Sequence, residues 1–326
     1  MHIQDGYLSP EVCAATGAVA AVAVGYSIYK LRDEISERVV PLTGMTAAMI
    51  FAGQMVNFPI GLPVSGHLIG GVLAGMLLGP WAGCLAVTLV LVVQRFLFSD
   101  GGLFTLGANI LHMAVIGSIG GYAIVSIVRR FFRKPKVGAI VGSVVASWLT
   151  VVAASALFCV EFRLSHPAGA FEFRNIFALM VAIHSLIGVG EALITAAIVS
   201  YVLAQRPDLI LGPTSQSGDA VMAGVGRVTA GGIVVALCIG AFLAPFKSNL
   251  DDGLEHVSKV QGFSELAHSA WALFTDYDAL PILGGHWQGL SVSVAGVVGT
   301  LSVFLLALAF GRAVSPRSKA VEAGRE

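Results

Sequence analysis

The chain has 326 residues, 56% of them hydrophobic and only 12% charged, with nineteen Lys and Arg balanced by nineteen Asp and Glu. Soluble domains carry about twice that charged fraction, so the composition points to an integral membrane protein, in agreement with a mean hydropathy of +0.85. The balanced charge, without a basic stripe, excludes nucleic acid as a partner.

Apolar runs of about 17–25 residues can cross a bilayer as helices. In chain order they fall at about 10–29, 43–58, 65–79, 81–98, 104–128, 138–159, 175–204, 228–245 and 290–311. No basic stretch of the kind that opens a cleavable signal precedes the first run, which is therefore read as retained. Within it, AATGAVAAVAVG places Ala14, Ala18 and Val22 on one helical face, suited to packing inside the bundle or to docking another membrane subunit. The oily stretch 65–98 is divided at Gly79-Pro80, because Pro removes a backbone donor. Four cysteines, Cys13, Cys84, Cys159 and Cys238, lie in apolar segments without C-x-x-C spacing and read as small buried residues.

Nine segments put the termini on opposite faces. Fourteen Lys and Arg fall in the loops of one face, among them Lys30, Arg129, Arg206 and Arg312, against five (Arg95, Arg163, Arg174, Lys247 and Lys259) on the other. Basic residues stay cytoplasmic, which predicts an inner (cytoplasmic) membrane protein with Met1 outside and Glu326 inside. Residues 206–227 read as a cytoplasmic linker and 246–289 as an external loop. The expected fold is an all-α membrane protein, a seven-helix bundle over 1–205 followed by a two-helix unit over 228–326.

All eight histidines fall outside the membrane or in its outer half. His2 stands apart because of its covalent surroundings. The Met1 amine, the His2 amide nitrogen and the His2 ring can close a five- and a six-membered chelate ring, supplying three nitrogens in a plane. A fourth nitrogen completes a square-planar set of the kind that selects Ni(II) or Cu(II). The best internal donor is His67 in NFPIGLPVSGHLIGG, where Gly and Pro mark a turn entering the bundle from the face that carries Met1.

MHI-x-DGYLSP, NFPI…SGHLIGG, GG…LGAN…HM at 101–113 and IGVGEALIT at 187–195 together resemble the CbiM/NikM family over about residues 1–205. These are substrate-capturing membrane subunits (S components) of energy-coupling-factor (ECF) uptake systems for nickel and cobalt. The resemblance implies an all-α bundle with an inward-threaded N-terminus, and metal held by Met1, His2 and His67. Residues 206–326 resemble the family's small N component; DDGLEHV at 251–257 matches its PDGLE signature with Asp251 in place of Pro, which puts the turn there in question. The opening motif followed by a fused N unit resembles the nickel branch more than the cobalt one, so Ni(2+) is the expected substrate, Co(2+) the alternative, and no organic cofactor is expected.

Asn57, Ser65, His112 and His184 are candidates to orient the ligands, since metal-bound His usually donates its other N–H. Glu191, deep in a span, reads as a helix–helix hydrogen bond, and His166, His256, His268 and His286 as solvated loop residues. The absence of G-x-x-x-x-G-K-[ST] implies that energy comes from partner ATPase subunits and a membrane-embedded T coupling subunit. An intramembrane metalloprotease is disfavoured, because H-E-x-x-H is missing. A secondary carrier is disfavoured too, because no internal repeat is evident.

Overall fold

The computed structural model describes residues 2–34, 39–211, 218–268, 272–277 and 287–314. Met1 and His286, both named above, lie outside the described residues. Seven of the described helices are long and apolar enough to cross a membrane, spanning Pro10–Arg32, Pro80–Phe98, Leu106–Arg129, Pro135–Ser165, Phe173–Gln205, Gly224–Phe246 and Gln288–Val314. Each coincides with a segment expected from hydropathy.

The helices referred to below are α1 (Pro10–Glu34), α2 (Val39–Gln54), α3 (Gly71–Leu78) and α4 (Pro80–Val93, prolonged by a π-helical turn Gln94–Phe98). Next come α5 (Leu106–Asn109), which runs through a π-helical stretch Ile110–Gly120 into α6 (Gly121–Arg129), then α7 (Pro135–Ser165) and α8 (Phe173–Gln205). The remainder are α9 (Asp208–Leu211), α10 (Gly218–Cys238), α11 (Gly253–Val260) and α12 (Gln288–Val314). Helix α2 is only 16 residues long but buried on almost every side. A helix apolar all round belongs in the middle of a bundle, and α2 is packed by α4, α10 and α12. The C-terminal helices are thus built onto the same core as the first part of the chain.

The third expected span is not a continuous helix. Phe58–Leu62 (β1) and Val64–Gly66 (β2) form a small antiparallel hairpin, residues 67–70 lie outside regular structure, and only Gly71–Leu78 is helical. The reason is local: Pro59 and Pro63 withhold donors, and Gly66, Gly70 and Gly71 weaken helix propagation. Gly79, at φ 82°, then turns the chain so that α4 packs back against α3. Non-helical backbone inside a membrane protein must have its polar groups satisfied by protein. The Glu191 carboxylate of α8 accepts the Ile69 and Gly70 N–H groups at 2.6 and 2.8 Å, and Gln54 Nε2 donates to the Ile69 carbonyl at 2.8 Å. Glu191 therefore bonds to the main chain of a broken segment, not to another helix as its sequence context suggested.

Three further differences are smaller. The expected linker is partly helical, since α9 forms beside a two-pronged Arg206–Asp208 ion pair at 2.9 Å and α10 already begins at Gly218; residues 212–217 lie outside the described residues. Ala14, Ala18 and Val22 face outward, while α1 buries Cys13, Thr16 and Ala20. Cys13, Cys84 and Cys159 are buried as expected, whereas Cys238 is exposed on α10.

Several helix contacts are made at glycines, the contact type that lets backbones approach closely in lipid. A Cβ on Gly71 would lie 2.6 Å from both the Gly117 Cα and the Met113 carbonyl oxygen, whereas one on Gly25 would meet nothing within 4 Å. Gly71→Ala should accordingly lower stability by about 1–3 kcal/mol, and Gly25→Ala should raise it by about 0.5–1 kcal/mol through helix propensity. Thermal denaturation of the purified protein in detergent reads both signs.

Candidate metal site

The N-terminal segment enters the bundle as an extended strip, tied down residue by residue. Asn109, at the end of α5, treats Ile3 as a strand neighbour would: its Oδ1 accepts the Ile3 N–H at 2.8 Å and its Nδ2 donates to the Ile3 carbonyl at 3.0 Å. The Asp5 carboxylate accepts the N–H groups of Leu103, Phe104 and Thr105 at 2.8, 2.8 and 3.1 Å. Gly6, at φ 94°, passes so close to the Leu266 carbonyl that no Cβ fits. Ile3 is wholly buried. The residues of MHI-x-DG that follow His2 are thus the ones that anchor the strip.

This anchoring brings His2 beside His67. Their rings stack with centroids 5.0 Å apart and an interplanar angle of 22°, and both side chains are buried. His67 Nδ1 donates to the Leu68 carbonyl at 3.0 Å, which leaves Nε2 as the lone-pair nitrogen. The ring is buried, which suits a neutral donor. Burial lowers the pKa of His2, against the pull of Asp100. His2 Nε2 lies 3.1 Å from Gln94 Oε1 and Nδ1 lies 3.1 Å from Asp100 Oδ1. Gln94 in turn donates to Gln54 at 2.7 Å, and the Tyr277 hydroxyl donates to Asp100 at 2.6 Å.

The segment around residues 250–252 closes over this pair. Ser65 pairs with it through its N–H to the Asp251 carbonyl at 2.8 Å and its hydroxyl to the Leu250 carbonyl at 2.8 Å. Asp252 caps α11 by accepting the Glu255 N–H at 2.9 Å, and its other oxygen stands 4.0 Å from His67 Nε2. The two imidazoles open onto a cavity of about 410 Å³ whose walls include Asn57, Asp100, Asp252 and Tyr277. Among the described residues, no group of three or more His, Cys, Asp and Glu side chains could hold a metal ion. What the side chains bring together is a pair of imidazoles, and further nitrogens at this point would be main-chain ones.

Among the described residues, the four expected to orient the ligands make no hydrogen bond to either imidazole. Asn57 lines the cavity, and Ser65 holds the loop. His112 lies 3.0 Å from Glu161, and His184 bonds through Nδ1 to the Met180 carbonyl at 2.8 Å. Neither is paired with His2 or His67. Gln54, Gln94, Asp100 and Asp252 take the positions around the imidazoles, and sequence reasoning missed all four. For Gln54 and Gln94 a signal existed, since a polar side chain inside an apolar span is a functional candidate by default. His268 meets the N-terminal strip through its main chain, its N–H bonding to the Asp5 carbonyl at 2.8 Å.

Comparison with known proteins finds two family matches. The family described as "Cobalt uptake substrate-specific transmembrane region", CbiM, matches residues 2–209, and the PDGLE domain matches residues 226–316. The chain belongs to the CbiM family. A fused NikMN nickel transport protein of Archaeoglobus fulgidus is 34% identical over 315 residues, 96% of this chain and 98% of that one. The cobalt transport protein CbiM of Sorangium cellulosum is 29% identical over 216 residues, 64% of this chain and 94% of its own. A crystal structure of a truncated transition metal transporter superposes with a TM-score of 0.56 at 30% identity, covering 63% of this chain and 99% of the other.

Within the PDGLE domain, the signature now has a physical reading. Asp251, standing where Pro is usual, serves Ser65 through its carbonyl, a task that any residue performs, so the turn forms without Pro. Gly253 admits close packing, since a Cβ there would lie 2.8 Å from Ile187 and 2.9 Å from His184. Leu254 is buried, and Glu255 pairs with Lys259 at 2.8 Å.

Asp5 gathers three N–H groups, so Asp5→Ala should leave several of them without a protein acceptor. At about 1–3 kcal/mol for each unsatisfied group, amide hydrogen exchange at Leu103, Phe104 and Thr105 should accelerate tenfold or more, and the melting temperature should fall.

Proposed function

We propose that this CbiM-family chain is the substrate-capturing subunit of an ECF-type importer. It takes Ni(2+) from outside the cell and releases it inward when coupled to ATPase subunits and a membrane-embedded T subunit. The observation that carries the reading is the stacking of His2 on His67 at the open end of the bundle, 5.0 Å apart. The Met1 amine and the His2 amide add two nitrogens beside the His2 ring, and His67 Nε2 adds the fourth. In the chelate the ring of His2 binds through Nδ1, the atom that faces Asp100, while His67 presents Nε2 toward Asp252. A four-nitrogen square suits Ni(II). It leaves no open position for an activated water, which supports transport over catalysis.

Nickel is preferred because a relative that spans nearly the whole chain is named for nickel. Cobalt is the second reading, favoured by the cobalt transport protein that matches the first part. The two family matches support division into a metal-binding unit over 1–205 and a PDGLE-type N unit over 228–326, joined by 206–227. Lys30, Arg129 and Arg206 stand near helix ends, which with the positive-inside rule supports a site facing outward and a cytoplasmic C-terminus.

The test is nickel binding and uptake with variants of the free end. The purified chain should bind one Ni(II) as a yellow, diamagnetic species, and an uncleaved N-terminal tag should abolish binding and transport. His67→Ala should keep three nitrogens and weaken binding by 10- to 100-fold or more, since even partners of metal ligands are worth that much. Inserting Leu between Met1 and His2 keeps every side chain, yet should abolish transport. Wild-type uptake by a chain with a blocked N-terminus would refute the site. ATP-independent accumulation by the chain alone would favour a secondary carrier instead.

A further inference from the structure

Glu191 is the polar group that the transport reading leaves unused. It lies in the middle of α8, it is 1% exposed, and among the described residues no cation pairs with it. A carboxylate at such depth is costly, so the groups it does meet must stabilise it. They are the Ile69 and Gly70 N–H groups, at 2.6 and 2.8 Å, one on each oxygen. Hydrogen bonds to an ionised acceptor are about twice as strong as neutral ones. Two adjacent N–H groups pointing the same way match the two oxygens of a carboxylate. They do not match a carboxamide, which offers one oxygen and turns donor hydrogens toward the second N–H.

The same face of α8 touches the chain on the other side of His67. Ile187, one turn from Glu191, packs so tightly on Gly66 that a Cβ there would lie 2.8 Å from its side chain. His67 is therefore strung between two attachments to one helix, a steric one at Gly66 and an electrostatic one at Ile69–Gly70. Gly70, in the left-handed conformation at φ 75°, then turns the chain from this segment into α3. Between these supports, the Leu68 carbonyl accepts His67 Nδ1 and so sets which ring nitrogen faces the cavity. Displacing the Ile69–Gly70 main chain shifts the Leu68 peptide, and with it the ring.

We propose that Glu191 is a positioning residue for metal capture: by holding the Ile69 and Gly70 N–H groups, its carboxylate aims His67 Nε2 into the cavity. This rests on the reading of His67 as a metal donor. Glu191 itself touches no metal.

The test is a double-mutant cycle in nickel titrations of the full-length chain: wild type, Glu191→Gln, His67→Ala and the double variant, each followed by absorption spectroscopy. If Glu191 acts through His67, Glu191→Gln weakens nickel binding by about tenfold or more and moves the absorption bands toward those of His67→Ala. In the His67→Ala background the same change then alters affinity by less than about twofold, because coupled residues are non-additive. A wild-type spectrum and affinity for Glu191→Gln, or losses that multiply in the double variant, would overturn the proposal. An unchanged spectrum in His67→Ala alone would instead remove the donor reading, and this proposal with it. The wild-type protein supplies a measurement independent of variant folding. The Ile69 and Gly70 amides, though outside regular structure, should exchange as slowly as those of mid-α8; exchange at the rate of an exposed loop would count against Glu191 as the anchor.

Discussion

The architecture depends on one constraint: two stretches of non-helical main chain meet inside an apolar bundle, and each of their polar groups there needs a partner. Water satisfies such groups at a protein surface, but not at membrane depth. Residues 2–9 and 64–70 therefore depend on side chains that imitate backbone. Asn109 offers Ile3 both an acceptor and a donor. Asp5 and Glu191 each gather adjacent N–H groups, and Gln54 covers the Ile69 carbonyl. Helices could not bring His2 and His67 together in this way, because a helix spends its own N–H and C=O groups internally and keeps its backbone at the distance of its side chains.

The PDGLE part of the chain meets the same constraint from the other side. Its loop adds Asp252 and the Asp251 carbonyl where the β1–β2 hairpin would otherwise expose unpaired edge groups. Ser65, which is wholly buried, bonds to this loop across 185 residues of sequence. The loop is thus continuous with the wall of the cavity, and a carboxylate from the second family domain stands opposite an imidazole from the first. That juxtaposition puts the second domain in direct contact with the cavity wall beside His67.

The π-helical turns mark where helices are adapted to this interior. Gln94 lies in one and His112 in another, and such bulges are frequent at functional sites because they re-aim side chains without ending a helix. At Gln94 the effect is visible, since the side chain bridges His2 and Gln54 in a continuous hydrogen-bonded chain. His112 and Glu161 form a second buried pair, separate from the His2–His67 pair.

The amino-acid sequence by itself determined the membrane character, the positions of the long spanning helices, the break at Gly79-Pro80 and the residues of nitrogen-donor type at positions 2 and 67. Each follows from local sums, namely apolar transfer energies over twenty residues, the missing N–H of Pro, and the ring sizes that a residue beside a free amine can close. Only the tertiary structure decided that the third segment is half non-helical, that Glu191 answers main chain and not a helix, and that Gln94, Asp100 and Asp252 stand beside the imidazoles. A buried polar group is satisfied by whichever partner the fold brings near, and here those partners lie 92, 106 and 122 residues away. Hydropathy shows that such a group needs a partner. Identifying the partner requires knowing which segments lie side by side.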